Sequence, residues 1–128
     1  DQARKSLGLV GKYFDNFSLD LIYGMPNSNL LDWEKNISMA LEHNPLHISA
    51  YALTVEKKTA LYHQIEQKRV KPISDEAVKD QYDFLIDKMD SEGYINYEFS
   101  SFAKPGYFSV NNHKLLTWIF SLNLNYDF

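Results

Sequence analysis

Cysteine is absent from all 128 residues, which removes disulfides, thiol nucleophiles and thiolate-held clusters from anything this chain can do by itself. A basic excess is missing as well. Thirteen Lys and Arg stand against seventeen Asp and Glu, and the net charge is −4 with a pI near 5.5. No basic stripe of the kind that tracks a phosphate backbone results, so no nucleic acid is expected as a partner. No apolar run reaches membrane-spanning length, and no charged segment leading into an apolar one opens the chain. A cytoplasmic protein with no membrane span is the expectation. What is present is material for a core: 45% hydrophobic and 15% aromatic residues suit one modest domain and argue against disorder.

Hydrophobic spacing orders the chain. Ala3, Leu7 and Val10 share a helical face, and the chain starts without Met, so it is expected to begin inside an element. Asp15-Asn16 makes a turn, after which residues 17–24 read as a strand too uniformly apolar for a half-exposed hairpin. Asn29 caps a helix carrying Leu30, Trp33, Ile37 and Leu41, which Asn44-Pro45 closes. Residues 47–55 form the next strand, Thr59 caps a short helix with Leu61 and Ile65, and Lys71-Pro72-Ile73 links onward. Ser74 caps the clearest helix, with Asp75 and Glu76 favourably placed against its dipole and an apolar stripe of Val78, Tyr82, Leu85, Ile86 and Met89. Gly93 ends it, and Tyr94–Phe99 is a last strand before the Lys104-Pro105-Gly106 turn. No repeat or low-complexity segment is present. The order β-α-β-α-α-β predicts an α/β fold with right-handed parallel crossovers, as in (β/α) barrels and doubly wound sheets. In both, ligands sit at the carboxyl ends of the strands, where Gly24-Met25-Pro26 falls.

One carboxylate interrupts the first strand, in Leu19-Asp20-Leu21-Ile22-Tyr23-Gly24-Met25-Pro26. A buried charge needs a partner. By the two-residue period, Ser18, Asp20 and Ile22 share one face while Phe17, Leu19, Leu21 and Tyr23 share the other. On the second strand His47, Ser49, Tyr51 and Leu53 oppose Ile48, Ala50, Ala52 and Thr54. The chemistry alone leaves two readings of Asp20 level: a carboxylate hydrogen-bonded to Ser49 or Tyr51, or a ligand contact. For Tyr97-Glu98 the spacing favours an exposed strand-end carboxylate beside a packing tyrosine. His43 and His47 are four apart, but Pro45 between them breaks the helical geometry that a metal pair requires, and no metal site is expected. His63 reads as an exposed helical residue and the Val78–Met89 stripe as core.

Four ordered segments together resemble a known family: Phe17-Ser18-Leu19-Asp20-Leu21-Ile22-Tyr23-Gly24-Met25-Pro26, Trp33-Glu34, His47-Ile48-Ser49-Ala50-Tyr51-Ala52-Leu53-Thr54-Val55-Glu56, and Tyr97-Glu98-Phe99-Ser100-Ser101-Phe102-Ala103. They resemble the oxygen-independent coproporphyrinogen III oxidase-like family of radical SAM proteins, and within it the haem chaperone branch. Lys57-Lys58-Thr59-Ala60-Leu61-Tyr62 adds to the likeness. The resemblance implies the C-terminal part of a partial (β/α)6 TIM-type barrel with parallel strands. It also implies S-adenosylmethionine and a [4Fe-4S] cluster at the strands' carboxyl ends, with haem or a porphyrin as substrate or cargo. Carried over residue by residue, it gives Asp20 the ribose hydroxyls of S-adenosylmethionine and Ile22 its nucleoside.

The departures carry equal weight. The family's Cys-x3-Cys-x2-Cys motif would fall before Asp1, so the N-terminal half of the barrel is required from elsewhere. Without thiolates this chain cannot ligate the cluster or, alone, perform radical chemistry. Phe99 and Ser101 replace an isoleucine and an asparagine of the family pattern. After Ser109 the pattern is lost. The expectation is therefore an incomplete barrel domain over residues 1–109 and a divergent tail over 110–128, from a frameshift or truncation. Two other readings stand beside an internal fragment: a non-catalytic haem- or nucleoside-binding module, and a decayed inactive gene product with exposed strand edges. An in-frame upstream cysteine motif in the encoding DNA selects the first.

Overall fold

The computed structural model describes residues 2–108 and 121–122; the expectations placed on the rest of 109–128 lie outside the described residues. In chain order the elements are α1 (Gln2–Tyr13), β1 (Ser18–Tyr23), α2 (Leu30–Leu41), β2 (His47–Ala52), α3 (Ala60–Glu66), α4 (Asp75–Ser91), β3 (Ile95–Glu98), β4 (Ser101–Ala103) and β5 (Ser121–Leu122). Each helix start read from the sequence is made by the side chain that predicts it. Asn29 Oδ1 accepts from the Asp32 N–H at 2.9 Å, Thr59 Oγ1 from Tyr62 at 3.2 Å, and Ser74 Oγ from Ala77 at 3.2 Å. Each cap satisfies one of the amide donors a helix start leaves orphaned.

The strands form one sheet in the order β3-β4-β2-β1-β5. β1 pairs in parallel with β2, from Ser18 opposite His47 to Tyr23 opposite Ala52, and with β5 on its other side. This parallel centre is the α/β arrangement expected. The last strand differs from its expected form. After β3 the chain reverses at Phe99-Ser100, and β4 inserts antiparallel to both β2 and β3. The Ala50 N–H donates to the Ser100 carbonyl at 2.8 Å, tying the reversal to β2, and Phe102, with no exposed surface, drives β4 into the sheet. The second strand is also shorter than residues 47–55. Leu53 gives its N–H to the Tyr23 carbonyl at 2.8 Å, and the chain then leaves the sheet toward α3.

The core lies on one side of this sheet. Leu19, Leu21 and Tyr23 of β1, Ile48 and Ala50 of β2 and Phe102 of β4 form a cluster with Leu7 and Val10 of α1, Trp33, Ile37 and Ala40 of α2, and Leu85 and Met89 of α4. The parity read from the sequence is therefore the one that folds: the wholly apolar face of β1 meets the helices. Tyr94, leading into β3, buries its ring and donates its hydroxyl to the Pro45 carbonyl at 2.5 Å. Burial, and then the nearby Glu92 charge, push that phenol up to about 12. Among the described residues no helix is long and apolar enough to cross a membrane.

Candidate functional site

The opposite face of the sheet carries the polar side chains. Strand register aligns Glu98 of β3 with Ser101 of β4, Ser101 with Ser49 of β2, Ser49 with Asp20 of β1, and Asp20 with Ser121 of β5. One rung of acidic and hydroxyl side chains thus runs from β3 to β1. Within it the Ser101 hydroxyl donates to a Glu98 carboxylate oxygen at 3.3 Å. Asp20 is half-buried. Among the described residues no hydrogen bond reaches its carboxylate, from Ser49, Tyr51 or any other group.

On the same face, one residue pair nearer the strand start, His47 is held from both sides. Ser18 Oγ lies 2.8 Å from Nδ1 and the Tyr97 hydroxyl 2.6 Å from Nε2. In the neutral ring one nitrogen donates and the other accepts, and both capacities are used. Desolvation is the largest influence on His47 and lowers its pKa, while the Asp20 and Glu98 charges pull the other way. Tyr97 is thus more than a packing tyrosine. Its neighbour Glu98 is exposed, as expected from its place near a strand end. With both nitrogens engaged, His47 has none to offer a metal. Among the described residues no three or more His, Cys, Asp or Glu side chains gather where they could hold one.

At the carboxyl ends of β1 and β2 a cavity of about 390 Å³ opens between the strands and α3. Ile22, Met25, Leu53 and Leu61 line it, with Thr59 and Gln64 at its polar margin. A largely apolar concavity of this size with a few polar groups suits a small organic ligand. Ile22 lies two residues beyond Asp20 on the same face, about 7 Å along the strand. The apolar wall at Ile22 and the Asp20 carboxylate, without a hydrogen bond among the described residues, therefore stand on one face of β1.

The loop leaving β1 is held from behind. Gly24 has φ +73°, a left-handed conformation that side chains disfavour. Its N–H donates to Gln81 Oε1 at 2.8 Å. Gln81, on α4, is 2% exposed; its Nε2 donates to Ser28 Oγ at 3.2 Å, and Ser28 donates to the Met25 carbonyl at 2.6 Å. The Trp33 indole donates to the Gln81 carbonyl at 2.9 Å. The sequence reading missed Gln81, although a lone polar residue inside the apolar stripe of α4 was the signal to follow.

No family model matches the chain. In fold it is similar to the solved structure of HemN, the coproporphyrinogen III oxidase of Escherichia coli, described as a radical SAM enzyme. That likeness has a TM-score of 0.63 at 20% identity and covers 80% of this chain and 24% of that one. The architecture is thus that of part of the HemN fold. The sequence is similar to the haem chaperone HemW of Bacillus subtilis, 37% identical over 105 residues, and to that of Escherichia coli K12, 35% identical over 120 residues. These matches cover 82% and 93% of this chain but only 27% and 30% of the relatives, so the chain spans less than a third of their length. The resemblance read from the four motifs holds: the chain is similar to a segment of the HemW-type branch of the coproporphyrinogen III oxidase-like radical SAM proteins.

Proposed function

We propose that this chain forms the later strands of a HemW-type radical SAM protein whose complete form acts in the cytoplasm on haem or a porphyrin, and that Asp20 and Ile22 hold the nucleoside of S-adenosylmethionine. One observation carries the assignment. The Asp20 carboxylate, unpaired among the described residues, stands on the same open face as Ile22, which lines the cavity at the strands' carboxyl ends. Asp20 accepts hydrogen bonds from the ribose hydroxyls, Ile22 and Met25 flank the base, and the cavity walls keep water from it. Bound there, S-adenosylmethionine supplies radical-initiating chemistry; the chain's own residues bind and orient it. The residues present do not fit a [4Fe-4S] cluster, since the chain has no cysteine. Its ligands must come from the barrel half outside this chain.

The test is isothermal calorimetry with S-adenosylmethionine on the complete protein. Asp20→Ala is expected to weaken binding by about 1–3 kcal/mol, the usual cost of stranding hydrogen-bonded partners. Unchanged affinity rejects the ribose role. Haem titration beside a coproporphyrinogen decarboxylation assay separates haem delivery from porphyrin oxidation: haem binding without decarboxylation supports the chaperone role that the relatives' name describes.

A further inference from the structure

Asp20 and the cavity-lining Ile22 stand on β1, but the loop that completes the wall is set from a different element. Met25 is 6% exposed, lines the cavity and precedes Pro26, in a loop whose first residue is left-handed. A Cβ on Gly24 would meet Val78 Cγ2 at 3.5 Å and the Leu53 nitrogen at 3.7 Å. Those are ordinary contacts, so backbone conformation rather than crowding calls for glycine here. The loop closes its own turn, the Ser28 N–H and hydroxyl donating to the Met25 carbonyl at 3.1 and 2.6 Å, but nothing within it ties that turn to the helix layer behind.

From the hydrogen bonds around Gln81 we infer that Gln81 of α4 is a positioning residue for the nucleoside site, fixing the Gly24-Met25-Pro26 loop so that Met25 forms a preset wall of the cavity. The inference rests on the nucleoside reading above and deepens it. The side-chain amide reads the loop at two points. Its oxygen takes the Gly24 N–H, and its nitrogen, through Ser28 Oγ, reaches the Met25 carbonyl. Both ends of the Gly24–Met25 unit are thereby tied to one rigid side chain. Gln81 is itself immobilised, because it is buried and its backbone carbonyl receives the Trp33 indole from α2. A hydrocarbon of the same length fills the space without specifying the loop. A wall set before the ligand arrives saves the ordering cost of binding.

The experiment uses the complete protein and S-adenosylmethionine. Gln81→Met keeps the volume and removes both amide contacts, and Ser28→Ala removes only the relay to Met25. Gln81→Met is expected to raise the calorimetric Kd about five- to tenfold, on the scale of one or two lost hydrogen bonds, and Ser28→Ala to raise it less. A purely structural role predicts no selective local change, so amide hydrogen exchange is followed as well. The peptide over residues 22–28 exchanges faster in Gln81→Met while β2 and the rest of α4 keep their protection. A folded Gln81→Met with unchanged Kd and unchanged exchange overturns the inference. If that variant fails to fold, Ser28→Ala decides in the same way. Asp20→Ala, run in parallel, separates the two failures: affinity lost there but kept in both clamp variants sinks the clamp alone, whereas affinity kept in Asp20→Ala and lost in Gln81→Met sinks the ribose role alone.

Discussion

The two faces of the β1–β2 pair have the same backbone and opposite chemistry. On the helix side Leu19, Leu21, Tyr23, Ile48 and Ala50 are almost wholly excluded from water, and each is closed off by helix side chains. On the other side Ser18, Asp20 and Ile22 face His47, Ser49 and Tyr51, and exposure rises along the strands until Tyr51 is 48% exposed. One face is closed by helix side chains, while the other is buried at Ser18, His47 and Ser49 and opens only toward the strands' carboxyl ends. Substitutions at adjacent positions of one strand should therefore act on different quantities.

The largest effect is expected on the closed face. Leu21 is 1% exposed, and Leu21→Ala should cost about 2–5 kcal/mol in urea unfolding through lost burial and the cavity left behind. A cost under about 0.5 kcal/mol, the range of surface changes, would show that the helix layer does not close that face. Its neighbour Asp20 inverts the pattern. Asp20→Ala should change unfolding stability by no more than about 0.5 kcal/mol while S-adenosylmethionine affinity falls as described above. A large stability loss there would mean that the carboxylate is a structural group after all.

Gly24 stands where the two faces end. Because its φ is +73°, Gly24→Ala should destabilise by about 1–2 kcal/mol, the cost of left-handed backbone for a residue with a Cβ. The same variant should weaken ligand binding if the loop shifts away from Gln81. Equal stability in thermal melts would show that the loop relaxes to another conformation, and the clamp would then have to hold it less firmly than its hydrogen bonds indicate.

The closed face was legible in the sequence because its signals are local or periodic. Asn29, Thr59 and Ser74 announce their helices through bonds that span three residues, and the alternation in β1 announces its buried side. The antiparallel hairpin was hidden: Ser101–Ala103 is three residues long, too short for any period, and pairs with β2 some fifty positions earlier. The links of His47 to Tyr97 and of Gln81 to Gly24 bridge comparable distances along the chain. Such contacts exist only once the sheet and helices are assembled, and single residues of ordinary type give no periodic sign of them.

The smallest predicted effect tests whether the open face acts as one electrostatic unit. Burial lowers the pKa of His47 below the ordinary 6.5, against the opposing pull of Asp20 and then Glu98. Below 6.5 the unfolded chain therefore binds a proton that the folded chain resists. Stability contributed by the neutral imidazole is full above that value and falls as pH drops toward the folded midpoint. The groups that face the ring are Ser18 and Asp20 from β1 and Tyr97 and Glu98 from β3. Asp20→Asn removes one of the two charges favouring the imidazolium, so an NMR titration should find the His47 midpoint lower still, and the acid-induced loss of stability should extend over a wider interval. Tyr97→Phe leaves both carboxylates in place, and the midpoint should then respond only to the lost hydrogen bond. An unmoved midpoint in Asp20→Asn would separate the acidic rung from the His47 network and leave the open face as two independent sites.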